Sequence, residues 1–132
     1  MYLMDTNIWL ERLLDQARSE EVGNFLKKVT SEHLYITDFS FHSIGIVMDK
    51  LNQKQALLKF VQDALIESEV GLIHLEPTDM GKVVEIMDQA KLDFDDAYQY
   101  VAAEQYRLTL ISFDKDFDKT PLGRKEPKDI LG

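Results

Sequence analysis

The stretch LDFDDAYQYVAAEQYRLTLISFDKDF, residues 92–117, carries six acidic side chains, five of them aspartates. Asp93, Asp95 and Asp96 fall within four positions, and small and apolar residues follow, so the spacing predicts a helix from about Asp95 to Tyr106 with its alanines turned inward. RLTLISF then reads as a buried strand, and Asp114 comes directly after it. A helix feeding an apolar strand is one unit of an alternating fold, and the rest of the chain supplies the other units.

Working back, VGLIHLE reads as a strand closed by Pro77, a good helix-entry residue beside Thr78 and Asp79. Met80, Val83, Val84 and Met87 mark one face of the helix that follows. HLYIT reads as a strand ending near Thr37, followed by helices through Ile44, Val47, Met48 and Leu51 and through Leu57, Val61, Ala64 and Leu65. MYLM opens the chain as a buried strand stopped by Asp5. Helices follow from Asn7 to Asp15 and through Val22, Phe25, Leu26 and Val29. KTPLGRKEPKDILG is turn-rich, with room for one short final strand. Strands alternating with helices imply an α/β fold: a three-layer α/β/α sandwich around a parallel sheet of four to five strands.

The 132 residues are expected to form one domain, with 45% apolar and 30% charged residues in the range of ordinary globular chains. A net charge of −9 argues against a large basic surface and favours a basic partner or bound cations. The absence of cysteine excludes disulfides, thiolate zinc sites and cysteine nucleophiles. No basic leader precedes Asp5, and no uncharged apolar run would cross a bilayer, so the expected location is the cytoplasm, with no membrane partner.

In an open parallel sheet, ligands bind beyond the carboxyl ends of the strands. Asp5 and Asp114 each follow a strand and are thereby placed at one edge. A helix before a parallel strand runs opposite to it, and on that reading its amino terminus falls at the other edge, leaving Asp93–Asp96 unplaced by spacing alone. Carboxylates brought together repel unless a cation offsets them, and oxygen ligands without cysteine suit Mg²⁺ or Mn²⁺. The competing role for such aspartates is to cap helices, and for Asp95 capping is the favoured reading.

Three fragments, YLMDTNIWL, LDFDDAYQYVAAE and LTLISFDKDF, together resemble the PIN-domain family, which includes the VapC ribonuclease toxins of toxin–antitoxin pairs. They span most of residues 1–132 in the family's order and spacing. The resemblance implies a Mg²⁺- or Mn²⁺-dependent endoribonuclease in which Asp5, Asp96 and Asp114 hold the metal. Asn7 and Ser112 match polar positions that orient these acids, and Asp93 and Asp116 match positions that are sometimes acidic. It further implies that the helix aspartate turns into the acidic pocket, that a small antitoxin protein covers the pocket, and that the chain forms a homodimer.

At one position the chain departs from the pattern. Where the family has a glutamate on the helix after the second strand, TDFSFHSIGIVM puts Ser43, with His42 beside it. Asp38, just past that strand, is the candidate replacement for the lost charge, and His42 could meet a phosphate or move a proton. The departure motivates a second reading, a catalytically impaired PIN-fold module that binds RNA or a protein. Arg107, Lys115, Lys119, Arg124, Lys125 and Lys128 are the candidate contacts to RNA phosphates. An aspartate-nucleophile phosphatase would need a second acid at position 7, where Asn7 stands.

Overall fold

The computed structural model describes residues 1–132. Four strands, β1 (Tyr2–Met4), β2 (Leu34–Thr37), β3 (Gly71–Ile73) and β4 (Thr109–Ile111), form one sheet in the order β3-β2-β1-β4. Every pairing is parallel, with Leu3 opposite Tyr35 and Leu110. Seven helices flank the sheet: α1 (Thr6–Leu13), α2 (Ser19–Lys28), α3 (Asp38–Lys50), α4 (Lys54–Phe60), α5 (Met80–Ala90), α6 (Phe94–Gln105) and α7 (Pro127–Leu131). A π-helical segment, Val61–Ile66, continues α4.

Because successive strand residues point to opposite faces, each strand feeds two cores. Leu3, Leu110 and Ile73 pack with Val83 and Ile86 of α5 and with Ala97, Val101 and Ala102 of α6. Met4, Ile111, Leu34 and Ile36 pack on the other face with Ile8, Phe25, Ile44 and Met48 of α1, α2 and α3. These are the two interfaces of a three-layer sandwich. The alanines of α6 are fully buried, as their periodicity requires.

The connections through α1–α2 and α3–α4 move outward from β1 to β2 and β3, whereas α5–α6 carries the chain back past β1 to β4. The strand order reverses between β1 and β4, which is where an open α/β sheet forms a ligand crevice. The expectation that α6 begins at the opposite edge is corrected. A helix running opposite to the strand it feeds begins where that strand ends, so Asp96 comes near Asp114. Helix α5 makes this possible by pairing as a hairpin with α6: Gln105, at the end of α6, reaches Asp79, just before α5. Lys91, in the left-handed conformation at φ 55°, ends α5 and starts the turn.

The C-terminal expectation is also revised. In place of a fifth strand there is a single parallel bridge from Ile111 to Lys125, then helix α7. Glu126 and Asp129 form a reciprocal capping box with Pro127 at the first turn, which favours helix over strand.

Gly71 opens edge strand β3 opposite Tyr35. A Cβ there would lie 2.6 Å from Tyr35 Cδ1, inside contact distance. Gly71→Ala is expected to destabilise the protein by about 1–2 kcal/mol, the usual cost of modest overpacking, measured by urea denaturation.

Candidate active site

Asp5 leaves β1 in extended conformation and serves as N-cap of α1, its Oδ1 accepting from Thr6 N at 2.8 Å. It is 5% exposed. Gln99 Nε2 donates to the same oxygen at 3.0 Å, while Ser112 Oγ donates to Oδ2 at 2.8 Å and Asn7 Nδ2 lies 3.4 Å from it. Burial pushes the Asp5 carboxyl above its ordinary range, the bonds from Gln99, Ser112 and Thr6 oppose this, and the nearby charge of Asp114 adds to the rise.

Asn7 and Ser112 both bond Asp5 and each other. Asn7 Nδ2 also donates to Ser112 Oγ at 3.2 Å, and its Oδ1 accepts from Phe113 N at 3.2 Å. Ser112 Oγ in turn accepts from Asp114 N at 3.0 Å. The backbone turn after β4 is thus tied to the start of α1, which brings Asp114 over the end of β1. Asp114 Oδ1 caps the short 3₁₀ turn Lys115–Lys119 by accepting from Asp116 N at 2.9 Å.

A pocket of about 330 Å³ opens here, lined by Asp5, Thr6, Asn7, Leu10, Phe39, Ser43, Asp95, Asp96, Gln99 and Asp114. It contains four carboxylates and no lysine or arginine. Asp96 is half-buried, and its carboxyl is pushed up to about 7, by burial first and then by the charges of Asp114, Asp95, Asp5 and Asp116. Oxygens of Asp96, Asp114 and Asp116 lie within 4.8 Å of one another.

The expected trio of Asp5, Asp96 and Asp114 therefore shares one pocket, but the close group differs from it. Asp116, exposed and outside the pocket lining, is the third member of that close group, while the oxygens of Asp5 accept from side-chain and backbone donors. Asp95, read as a capping residue, does accept from a first-turn amide, Asp96 N, and also lines the pocket. Asp93 occupies the N-cap position of α6 without a capping bond and is exposed outside the pocket lining.

Asp38 does not join the group. Its Oδ1 accepts from Phe39 N and from the Tyr98 hydroxyl, both at 2.8 Å, and it is not among the residues lining the pocket. His42 is exposed and sits beside Phe41, with ring centroids 6.0 Å apart, outside the pocket. Ser43 does line the pocket, so the position lacking the glutamate faces the site with a hydroxyl.

The basic candidates are sorted by topology. Arg107 precedes β4 and lies at the opposite edge from the carboxylates. Arg124 is an internal tie, bonded to Glu126 at 2.6 Å, to Asp118 at 3.1 Å and to the carbonyl of Ser112 at 3.1 Å. Lys128 reaches Glu126 at 3.4 Å, and Lys125 is exposed where its backbone bridges Ile111. Lys115 and Lys119 are exposed on the turn that Asp114 caps, Lys119 donating to the Lys91 carbonyl at 3.2 Å.

Sequence reasoning missed Gln99, its partners Thr37 and Ser40, and Thr6, which bonds Ser40 in turn. A glutamine three residues after Asp96 on a helix carries no local mark of burial, so only the inward period of the alanines could have pointed to it. A larger hollow of about 380 Å³ beside Trp9, Leu26, Leu34, Phe60 and Val70 is mostly apolar and holds no carboxylate group of this kind.

A family model described as the PIN domain matches residues 2–122. Among curated proteins no sequence matches. A toxin–antitoxin complex protein from Klebsiella pneumoniae superposes with a TM-score of 0.76 at 23% identity, over 96% of this chain and 98% of that one. FitAcB from Neisseria gonorrhoeae gives a TM-score of 0.75 at 23% identity, over 97% of this chain and 99% of that one. VapC20 from Mycobacterium tuberculosis, described as a sarcin–ricin loop cleaving toxin, gives 0.78 at 12% identity, over 92% and 96%. At these identities the likeness is one of fold.

Proposed function

The chain belongs to the PIN domain family, and on that premise we propose that it is a divalent-metal-dependent endoribonuclease acting as the toxin of a toxin–antitoxin pair. The observation that carries this reading is the pocket itself: Asp5, Asp95, Asp96 and Asp114 line it with no lysine or arginine among them. Such a pocket repels a phosphodiester unless a cation intervenes.

The donor set fits a hard cation. All the donors are oxygens, three carboxylates come within 4.8 Å of one another, and the Asp96 carboxyl is raised by burial and then by its acidic neighbours, a cost of ionisation that a cation would offset. Asp96, Asp114 and Asp116 would hold Mg²⁺ or Mn²⁺, with Asp5 adding its charge from the base of the pocket. When bound, the ion lowers the pKa of its water and stabilises charge on the phosphodiester oxygens. Asn7 and Ser112 keep Asp5 turned into the pocket, and the Ser43 hydroxyl offers a donor to a phosphate oxygen or a water. Lys115 and Lys119 would steer the RNA backbone, with affinity falling as salt rises.

The similar toxin–antitoxin complex from Klebsiella pneumoniae supports an antitoxin partner; in this proposal it is small and covers the pocket, where an arginine reaching the carboxylates would suit the chemistry. A homodimer is part of the same proposal. No helix is long and apolar enough to cross a membrane, in keeping with a cytoplasmic RNA target.

The test is cleavage of single-stranded RNA by the purified chain with Mg²⁺ or Mn²⁺. Cleavage should stop in EDTA and in Asp5→Asn. Activity that survives both changes rejects the reading. The uncharged Ser43 in the pocket favours one alternative, a binding module impaired in catalysis. Tight Mn²⁺ or RNA binding without cleavage by the unaltered chain would select it.

A further inference from the structure

Gln99 lies three residues beyond Asp96 on α6 and is 1% exposed. A primary amide at that depth must find partners for both its oxygen and its nitrogen, and the surrounding bonds fix which end faces where. Thr37 caps α3 by accepting from Ser40 N at 3.0 Å, so its own hydroxyl proton is free to go to Gln99 Oε1 at 2.6 Å. The amide nitrogen is thereby turned to the other side, where it donates to Asp5 Oδ1 at 3.0 Å and to Ser40 Oγ at 2.7 Å. Ser40 Oγ continues the chain to Thr6 Oγ1 at 2.7 Å, at the start of α1. With the amide reversed, its carbonyl oxygen would face the Asp5 carboxylate.

The other donors to Asp5 come from the first turn of α1 and from the end of β4. Gln99 is its only donor from α6, the helix that carries Asp96. We propose that Gln99 is a positioning residue that registers Asp5 on β1 against Asp96 on α6, with Thr37 setting the orientation of the amide. The proposal rests on the reading of this pocket as a cation-dependent nuclease site. Gln99 acts through Asp5: it fixes the spacing between carboxylates that reach the pocket from separate elements.

The experiment uses the full chain and compares Gln99→Leu, Thr37→Val and Thr37→Ser with the unaltered protein and with Asp5→Asn. It measures the Mn²⁺ dissociation constant by calorimetry, kcat and KM on single-stranded RNA, and the melting temperature. Gln99→Leu is expected to weaken Mn²⁺ binding and lower kcat by about tenfold or more, the usual effect of losing a bond behind a ligand, with KM for RNA nearly unchanged. Thr37→Val should move both in the same direction by less, and Thr37→Ser, which keeps the hydroxyl, should restore them.

A purely structural role would lower the melting temperature while Mn²⁺ affinity and kcat stayed at the parent's values, and that result overturns the proposal. Should Gln99→Leu fail to fold, equal Mn²⁺ affinities in Thr37→Val and Thr37→Ser overturn it instead. If the unaltered chain binds Mn²⁺ but cuts no RNA, the nuclease reading fails, and the Mn²⁺ affinities alone decide the role of Gln99. Absence of both binding and cleavage overturns the two together.

Discussion

Asp96→Asn should slow metal-dependent cleavage about a hundredfold and yet, without metal, make the protein more stable. The first effect follows from taking one charged oxygen from the close group of Asp96, Asp114 and Asp116. If that charge supplies about 3 kcal/mol of transition-state stabilisation through the bound ion, the rate falls on the order of a hundredfold. The second effect follows from the cost of ionising Asp96 where it is half-buried beside other carboxylates. Asp96 is raised from 3.8 to about 7 in the folded chain, by burial and then by Asp114 and its other acidic neighbours. Folding therefore favours its protonated form, and the penalty for ionising it is absent below about pH 3.8, grows through the interval, and is complete above about pH 7.

Asp96 is only half-buried, so solvent screening reduces that penalty to about 1–2 kcal/mol. Thermal melts in EDTA at pH 8 should place Asp96→Asn a few degrees above the parent, with the gap closing toward pH 4. Saturating Mn²⁺ should reverse the order, since ligand at about 100 times its dissociation constant stabilises the parent by about 2.7 kcal/mol. An Asn variant that melts below the parent at pH 8 without metal would refute the electrostatic account. One that cleaves at the parental rate would refute the assignment of Asp96.

The second large effect lies behind the site. Glu126 is 14% exposed and accepts from Arg18 at 2.8 Å and from Arg124 at 2.6 Å. The Arg18 guanidinium also lies 4.0 Å above the centre of the Phe113 ring, one residue from Asp114. Arg124 holds the Ser112 carbonyl, so this cluster braces the turn that carries Asp114. The bonds from Arg18 and then Arg124 hold the Glu126 carboxyl down to about 2. Glu126→Ala leaves the largely buried Arg124 head without this partner, and a loss of about 2–4 kcal/mol is expected in urea denaturation at pH 7. Because the folded value is depressed, this stabilisation is full above about pH 4.5 and is lost as pH falls toward 2. An acid melt should therefore show a component in that window which Glu126→Ala lacks. A variant as stable as the parent at pH 7 would show that solvent already meets the needs of the two arginines.

Much of this arrangement was legible in the chain. The runs MYLM, HLYIT and RLTLISF gave buried strands, and the apolar periods gave the helices between them. Asp5 and Asp114 were placed at one edge because each follows such a run directly. Helix α7 was missed because five residues are too few to show a period; its signal was the Glu126-Pro127 entry with Asp129 three positions after Glu126. Arg124 looked like a surface cation because its three partners come from folded geometry. Asp38 looked like a spare carboxylate because its position after β2 says nothing of Tyr98, which claims it.

Sequence alone determined the alternation of strands and helices, the edge at which Asp5 and Asp114 emerge, and the acidic character of the chain. Those properties depend on backbone geometry within a few residues, and periodicity reports it. Tertiary structure decided that Asp116 joins Asp96 and Asp114, that Asp38 and His42 stand aside, and that Gln99 faces Asp5. The bonds that set the orientation of Asp5 link residues 94 and 107 positions apart. Contacts at that range exist only after helix and strand have packed in one register, and no local pattern in the chain records them.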